Sequence, residues 1–286
     1  MDEKGFRLLT GKLKDFSLSE TLECGQYFRY KKIDDNPYQY EITAKERALK
    51  IGLKQDKLYY NASSEEFEKF WVNFFDLKRD YESIKQTLAG NDFVIRDALM
   101  FAPGIRLLSQ DPWECLLCFI ISQNNRIPMI MQAVKNISER FGERISGSES
   151  FSIPSAEKVA SLTEQELKDC KTGFRAKYIL DGARRVASGR TVIYGTKSLE
   201  TEALRERLME IKGVGPKIAD CVMLFSMGRY EVFPTDVWII KVMEKLYFGG
   251  NKTALKDIHA LADKKFGEYA GFAQQYLYHY ARINKI

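Results

Sequence analysis

A lysine just after a glycine-rich turn and an aspartate nineteen residues further on are the pair in this sequence best suited to covalent chemistry. Lys217 stands in the run Leu208-Met209-Glu210-Ile211-Lys212-Gly213-Val214-Gly215-Pro216-Lys217-Ile218-Ala219-Asp220-Cys221. Pro216 suits the first turn of a helix, Gly213 and Gly215 permit a tight turn at positive φ, and Leu204, Leu208 and Ile211 give the preceding segment an apolar helical face. Two helices therefore meet at a hairpin. In the first turn of the second helix, the positive end of the helix dipole opposes an ammonium and, with partial desolvation, favours the neutral, nucleophilic amine. The same position suits a solvated or phosphate-holding charge, so the lysine alone leaves both readings open. The uncovered N–H groups of the Gly213–Gly215 turn could hold a phosphate regardless of sequence.

Asp236 lies in Val232-Phe233-Pro234-Thr235-Asp236-Val237-Trp238. The lysine's helix is expected to end near Gly228, and Thr235 or Asp236 to cap the next one, a path that can return the carboxylate to the start of the lysine's helix. Backbone donors would keep such a carboxylate ionised, as stabilising a cationic sugar transition state requires. A purely structural cap is the alternative.

The elements that must position this pair follow from periodicity. Short strands are expected at 27–32, 39–43, 48–53 and 57–60, separated by turn signals such as Asp34-Asp35-Asn36-Pro37, giving an antiparallel sheet. Ser64-Glu65-Glu66-Phe67 resembles a capped helix start, and Phe67, Phe70, Trp71, Phe74 and Phe75 recur at helical spacing, an aromatic stripe that suits packing on the sheet. From about Gly90 the chain reads as helices, including 113–121, 128–141 and 204–211. The fold class expected is α+β: a β-rich N-terminal domain with packed helices over 1–97, then an all-α region over 98–286.

Composition narrows the function classes without choosing among them. The net charge of +5 permits nucleic-acid binding and does not establish it. No apolar run approaches a membrane span and no secretory leader is evident, so a soluble, intracellular protein is expected, in the cytoplasm or nucleoid of a bacterium, with a nuclear location left open. Five scattered cysteines suit a reducing compartment; Cys115 and Cys118 read as helix core, and two histidines make a zinc site unlike this chain. No metal or other cofactor is expected, and nothing points to more than a monomer.

The run LxxIxGVGPKIADC…FPTDVW resembles the helix-hairpin-helix, Gly/Pro-rich loop and aspartate signature of the base-excision DNA glycosylase superfamily, in which a lysine at the Lys217 position marks glycosylase/lyase members. Within it the chain is most similar to the 8-oxoguanine DNA glycosylases. Cys-Gly-Gln-Tyr-Phe-Arg-Tyr (24–30), Ser-Gln-Asp-Pro-Trp-Glu-Cys-Leu (109–116) with Ile-Ser-Gln-Asn-Asn (121–125), Thr-Gly-Phe-Arg-Ala-Lys-Tyr (172–178) and Ala-Gly-Phe-Ala-Gln-Gln-Tyr-Leu-Tyr (270–278) each resemble a segment of that family. The absence of cysteine after Cys221 sets the chain apart from the branch that carries an iron–sulfur loop.

The resemblance implies a TBP-like antiparallel N-terminal domain, two helical subdomains flanking a cleft, and a duplex DNA substrate whose damaged base is turned out of the stack. It implies Lys217 as nucleophile, a Schiff base and β-elimination, with Asp236 stabilising positive charge. The Gly25 carbonyl would accept from the N7 proton that 8-oxoguanine has and guanine lacks, Gln274 would read the Watson–Crick edge, and Tyr278 and Cys221 would sandwich the ring. Asn124 would fill the gap in the duplex beside Asn125, Phe174 would wedge the stack, Arg175 would lie near the estranged base or backbone, and Gly213 and Gly215 would hold phosphate. Met129 stands where many members have an arginine that reads the opposing cytosine, with Arg126 as an unproven substitute, and Trp238 where a histidine is frequent. Two rivals remain: a glycosylase for oxidised pyrimidines, and a module that only grips DNA.

Overall fold

The computed structural model describes residues 7–9, 13, 15–55, 57–90 and 92–286. Five strands, β1 (Arg7–Leu9), β2 (Tyr30–Asp35), β3 (Tyr38–Ala44), β4 (Arg47–Lys54) and β5 (Lys57–Tyr60), form one antiparallel sheet in the order β1-β5-β4-β3-β2. Alternation puts Tyr40, Ile42, Leu49, Ile51, Leu58 and Tyr60 on the buried face. Against that face lies the helical run from Ser64 to Phe74, capped by Ser63 and relaxed into a π turn at Phe67–Trp71, whose Phe67, Trp71 and Phe74 close the smaller core together with Phe75. The aromatic stripe therefore packs as its spacing predicts.

Two differences from expectation concern the sheet. β1 was not anticipated, because three residues carry no readable alternation. The next strand starts at Tyr30 rather than Tyr27, because residues 24–29 are held as a loop by the rest of the chain. Gln26, fully buried, donates through Nε2 to the carbonyls of Thr21 (2.9 Å) and Arg106 (2.7 Å) and accepts from the Leu108 N–H at 2.9 Å. Gln110 donates to the Gln26 carbonyl at 2.7 Å and Gln275 to the Cys24 carbonyl at 3.0 Å. Three glutamine amides thus fix the backbone around Gly25, each satisfying a carbonyl that burial would otherwise leave unpaired.

The larger core is mainly helical and takes in the buried apolar residues of Tyr81–Leu99 and most of those from Trp113 onward, with Cys24 and Phe28 from the N-terminal loop. It is joined to the sheet by a buried ion pair, Arg29 Nη1 to Glu114 Oε1 at 2.7 Å, with Glu114 also accepting from the Lys45 N–H at 3.1 Å. Losing either partner would strand a buried charge, so the pair fixes the register of sheet on helix more than it adds net stability. Cys115 and Cys118 are both buried in the helix Pro112–Ser122, and all five cysteines are free thiols. Among the described residues no helix is long and apolar enough to cross a membrane.

Candidate active site and DNA-facing surface

The hairpin forms where the glycines and proline predict. The helix Thr201–Met209 buries Leu204 and Leu208, Ile211 is buried after it, and the lysine helix runs Pro216–Ser226. The glycines differ in use. Gly213 has φ +80, and a Cβ there would lie 2.5–2.8 Å from the Tyr178 ring, so the position needs glycine for both conformation and space. Gly215 is an extended N-cap with open space on its Cβ side, so its contribution is access. The lysine helix has no side-chain cap, and among the described residues the Gly213 and Gly215 N–H groups take no partner, which leaves donors facing outward at a helix start.

The helix Ala176–Ala187 braces this turn: Tyr178 packs on Gly213, and Asp181 Oδ2 accepts from the Lys212 N–H at 2.8 Å. The edge of Tyr178 meets Phe174, 51% exposed, at 6.3 Å between ring centroids. Phe174 in turn adjoins Arg175, which bonds the carbonyls of Gln123 and Asn124. The predicted contacts Asn124, Asn125, Phe174, Gly213 and Gly215 therefore share one surface, with Lys177, Lys212 and Arg126 exposed around them. Asn124 is exposed at φ +46, while Asn125 turns inward and donates to the Ile121 carbonyl at 3.1 Å. Arg175 departs from expectation: only 8% exposed, it directs its guanidinium at protein carbonyls rather than outward.

A Gly213→Ala substitution is expected to lower stability by about 1–3 kcal/mol, since a methyl must displace Tyr178 at a strained φ. Gly215→Ala should leave the melting temperature nearly unchanged yet weaken binding to undamaged duplex, its methyl occupying the space a phosphate would use. Thermal melts beside a duplex titration separate the two effects.

The lysine and aspartate meet at Cys221. Lys217, half-buried, stands one turn before Cys221 on the same helix, close enough for its charge to act on that thiol, and its Nζ lies 5.3 Å from the centroid of Phe119. Asp236 caps the helix Val237–Tyr247, Oδ1 accepting from the N–H groups of Trp238 (2.9 Å) and Ile239 (3.0 Å). Its charge is close enough to raise both the Cys221 thiol and the Tyr278 hydroxyl. Burial pushes Cys221 up to about 11, with Lys217 offsetting only part of that, so at neutral pH the group beside the amine is a thiol. The thiol is therefore no rival nucleophile, since the thiolate is the reactive form.

The remaining predicted residues come from two elements that converge here. On the C-terminal helix Ala270–Asn284, Gln274 and Tyr278 are one turn apart. Gln274 is 5% exposed and its Oε1 has no partner among the described residues, an orphaned acceptor of the kind a bound polar edge would satisfy. Tyr278, whose hydroxyl is raised to about 12 chiefly by burial, rests on Gly25: a Cβ there would lie 3.1 Å from Cε1 and 3.3 Å from the hydroxyl oxygen. Gly271 lets the same helix approach the segment before Asp236, donating to the Tyr230 carbonyl at 2.7 Å, where a Cβ would meet Leu224 at 2.3 Å. Sequence reading missed Gln26, Gln110, Gln275 and Phe119. Their partners lie far along the chain; Gln26, Gln110 and Gln275 do sit inside the motifs at 24–30, 109–116 and 270–278, which could have flagged them, whereas Phe119 lies outside any.

Residues 8–116 match the model for the 8-oxoguanine DNA glycosylase N-terminal domain, and residues 117–267 that for the HhH-GPD superfamily of base excision DNA repair proteins. The chain belongs to that superfamily. The N-glycosylase/DNA lyase of Saccharomyces cerevisiae is 30% identical over 92% of this chain and 83% of its own length. Among solved structures, the Clostridium acetobutylicum 8-oxoguanine glycosylase/lyase, bound to duplex DNA with cytosine opposite 8-oxoguanine, is 41% identical, with TM-score 0.89 over 95% of this chain and 93% of that one. MBOgg1 in complex with a low-affinity DNA ligand is 39% identical, with TM-score 0.93 over 100% and 98%. The α+β fold with its helix-hairpin-helix glycosylase region is therefore shared along the whole chain, and the likeness to N-glycosylase/DNA lyases, beyond superfamily membership, makes the protein a DNA glycosylase with lyase activity.

Proposed function

We propose that this glycosylase excises 8-oxoguanine from duplex DNA and cleaves the strand at the resulting site. The observation that carries the reading is that the Asp236 charge reaches both the Cys221 thiol, one turn along the helix from Lys217, and the Tyr278 hydroxyl, while Tyr278 lies against Gly25 and the unpaired Gln274 carbonyl sits one turn away on the same helix. A base within a duplex cannot present its sugar carbon to that amine, so the nucleotide must leave the stack, at a cost of a few kcal/mol.

Once seated, the oxidised base offers its N7 proton to the Gly25 carbonyl and its Watson–Crick edge to Gln274, while Tyr278 and Cys221 cover its faces. Guanine would set a lone pair against that carbonyl, a penalty of about 1–3 kcal/mol. The Nζ lone pair attacks C1′, the glycosidic electrons leave with N9, and the sugar opens to a Schiff base. Loss of a C2′ proton then breaks the 3′ C–O bond. Asp236 stabilises the developing positive charge and assists proton movement. Asn124 and Phe174 occupy the vacated stack, and Gly213 and Gly215 hold the backbone.

The test is base release measured on matched duplexes carrying 8-oxoguanine or thymine glycol. Preference for the oxidised purine supports the reading, and preference for thymine glycol moves the chain to the oxidised-pyrimidine class. A separate expectation concerns the opposing strand. Met129, 48% exposed at the start of the helix Ile127–Phe141, cannot donate a hydrogen bond to cytosine. Excision opposite C, A, G and T is therefore expected to vary by less than about tenfold, since the missing bidentate contact is the kind worth roughly 1–3 kcal/mol. A cytosine preference well above that range in the four-duplex panel would contradict it.

A further inference from the structure

The burial of Arg175 leads beyond the reading above. Its Nε donates to the Gln123 carbonyl at 2.7 Å, Nη2 bonds the same carbonyl and that of Asn124 at 2.8 Å, and Nη1 reaches the Thr172 carbonyl at 3.3 Å. The exposed ring of Phe174 covers the guanidinium, its centroid 4.4 Å from Cζ. Among the described residues no carboxylate pairs with this cation. An arginine buried on three carbonyls, two of them consecutive, is a fork matched to one backbone conformation, which a lysine could not reproduce.

That conformation is unusual. The turn between the helices Pro112–Ser122 and Ile127–Phe141 carries Asn124 at φ +46, a left-handed geometry that a non-glycine residue keeps only when its surroundings impose it. The other local bonds, Gln123 Nε2 to the Ile120 carbonyl and Asn125 Nδ2 to the Ile121 carbonyl, tie the turn back to the first helix but do not grip the Asn124 peptide. Among the described residues only Arg175 bonds the carbonyls on both sides of the Asn124 Cα.

We propose that Arg175 is a positioning residue: it locks the turn so that the Asn124 side chain projects ready to enter the duplex, and it acts through Asn124 on every opposing base alike. The proposal rests on the reading of Asn124 as the residue that fills the gap. Preorganisation of this kind lowers the cost of insertion, and a group held loosely by about 1 Å loses a large part of its effect.

The experiment uses the full chain and a duplex with a tetrahydrofuran abasic analogue facing 2-aminopurine, whose fluorescence follows insertion without requiring excision. Arg175→Met and Asn124→Ala are each expected to lower the insertion equilibrium by roughly tenfold, and the double variant to fall no further, because the two act as one unit. Arg175→Lys should recover only part of the loss, and it carries the test if the Met variant does not fold. Excision of 8-oxoguanine falls by the same factor opposite C, A, G and T. Additive losses, full insertion by the Arg175 variants, or a loss confined to one opposing base would overturn the proposal. Failure of the parent chain to release 8-oxoguanine would count against the proposed substrate while leaving the insertion measurement intact.

Discussion

Lys217→Gln is expected to abolish both base release and strand cleavage, by on the order of ten-thousand-fold or more in single-turnover rate, because the side chain that forms the covalent bond is gone. Glutamine is unbranched like lysine and gives up only the contact of Nζ with the Phe119 ring, so the fold and the binding of lesion duplex should be retained. Lysine helix and hairpin packing depend on Leu204, Leu208 and Ile218 rather than on the amine. Retained binding with lost chemistry, read by gel shift beside base release, is therefore the expected outcome. A variant that still releases the base at a rate near the parent's would make Lys217 a phosphate contact, the alternative its helix position leaves open.

Asp236→Asn should cost roughly 10²–10⁴-fold in base release with little change in stability. Asparagine caps a helix about as well as aspartate, so the bonds from Trp238 and Ile239 survive while the negative charge does not. Asp236→Ala removes the cap too and should lower stability by about 1 kcal/mol in addition. Comparing the two variants in melting and in single-turnover excision separates cap from charge. Equal, small losses of activity in both would reduce Asp236 to a structural cap.

How much of this was legible depended on how local each cause is. The hairpin could be read because its parts, Gly213, Gly215, Pro216 and the apolar faces either side, act within a dozen residues. Asp236 as an N-cap was legible for the same reason. What the sequence could not show was that its charge would fall on Cys221, one turn along the lysine's own helix, since that depends on how two helices approach. β2 was placed three residues early because Tyr27 and Phe28 are apolar, strand-favouring residues that tertiary contacts bury outside the sheet: the Tyr27 hydroxyl donates to the Thr43 carbonyl, and Phe28 packs edge-on to Phe119 at 5.8 Å.

Polar residues inside the molecule were the least legible. Gln26, Gln110 and Gln275 hold the Gly25 loop through partners some eighty to two hundred and fifty residues away, and glutamine carries no periodic signal. Arg175 shows the same limit from the other side. Resemblance put it at the DNA, whereas the carbonyls that bury it belong to a turn fifty-two residues earlier.

The account turns on a covalent bond between one amine and the sugar of an oxidised nucleotide. Borohydride reduction during reaction with 8-oxoguanine duplex, followed by peptide mapping of the adduct, measures that bond directly. The account predicts a trapped complex whose crosslinked peptide carries the sugar on Lys217, formed with lesion duplex and not with undamaged DNA. An adduct on another residue, or none from a chain that releases the base, would contradict it.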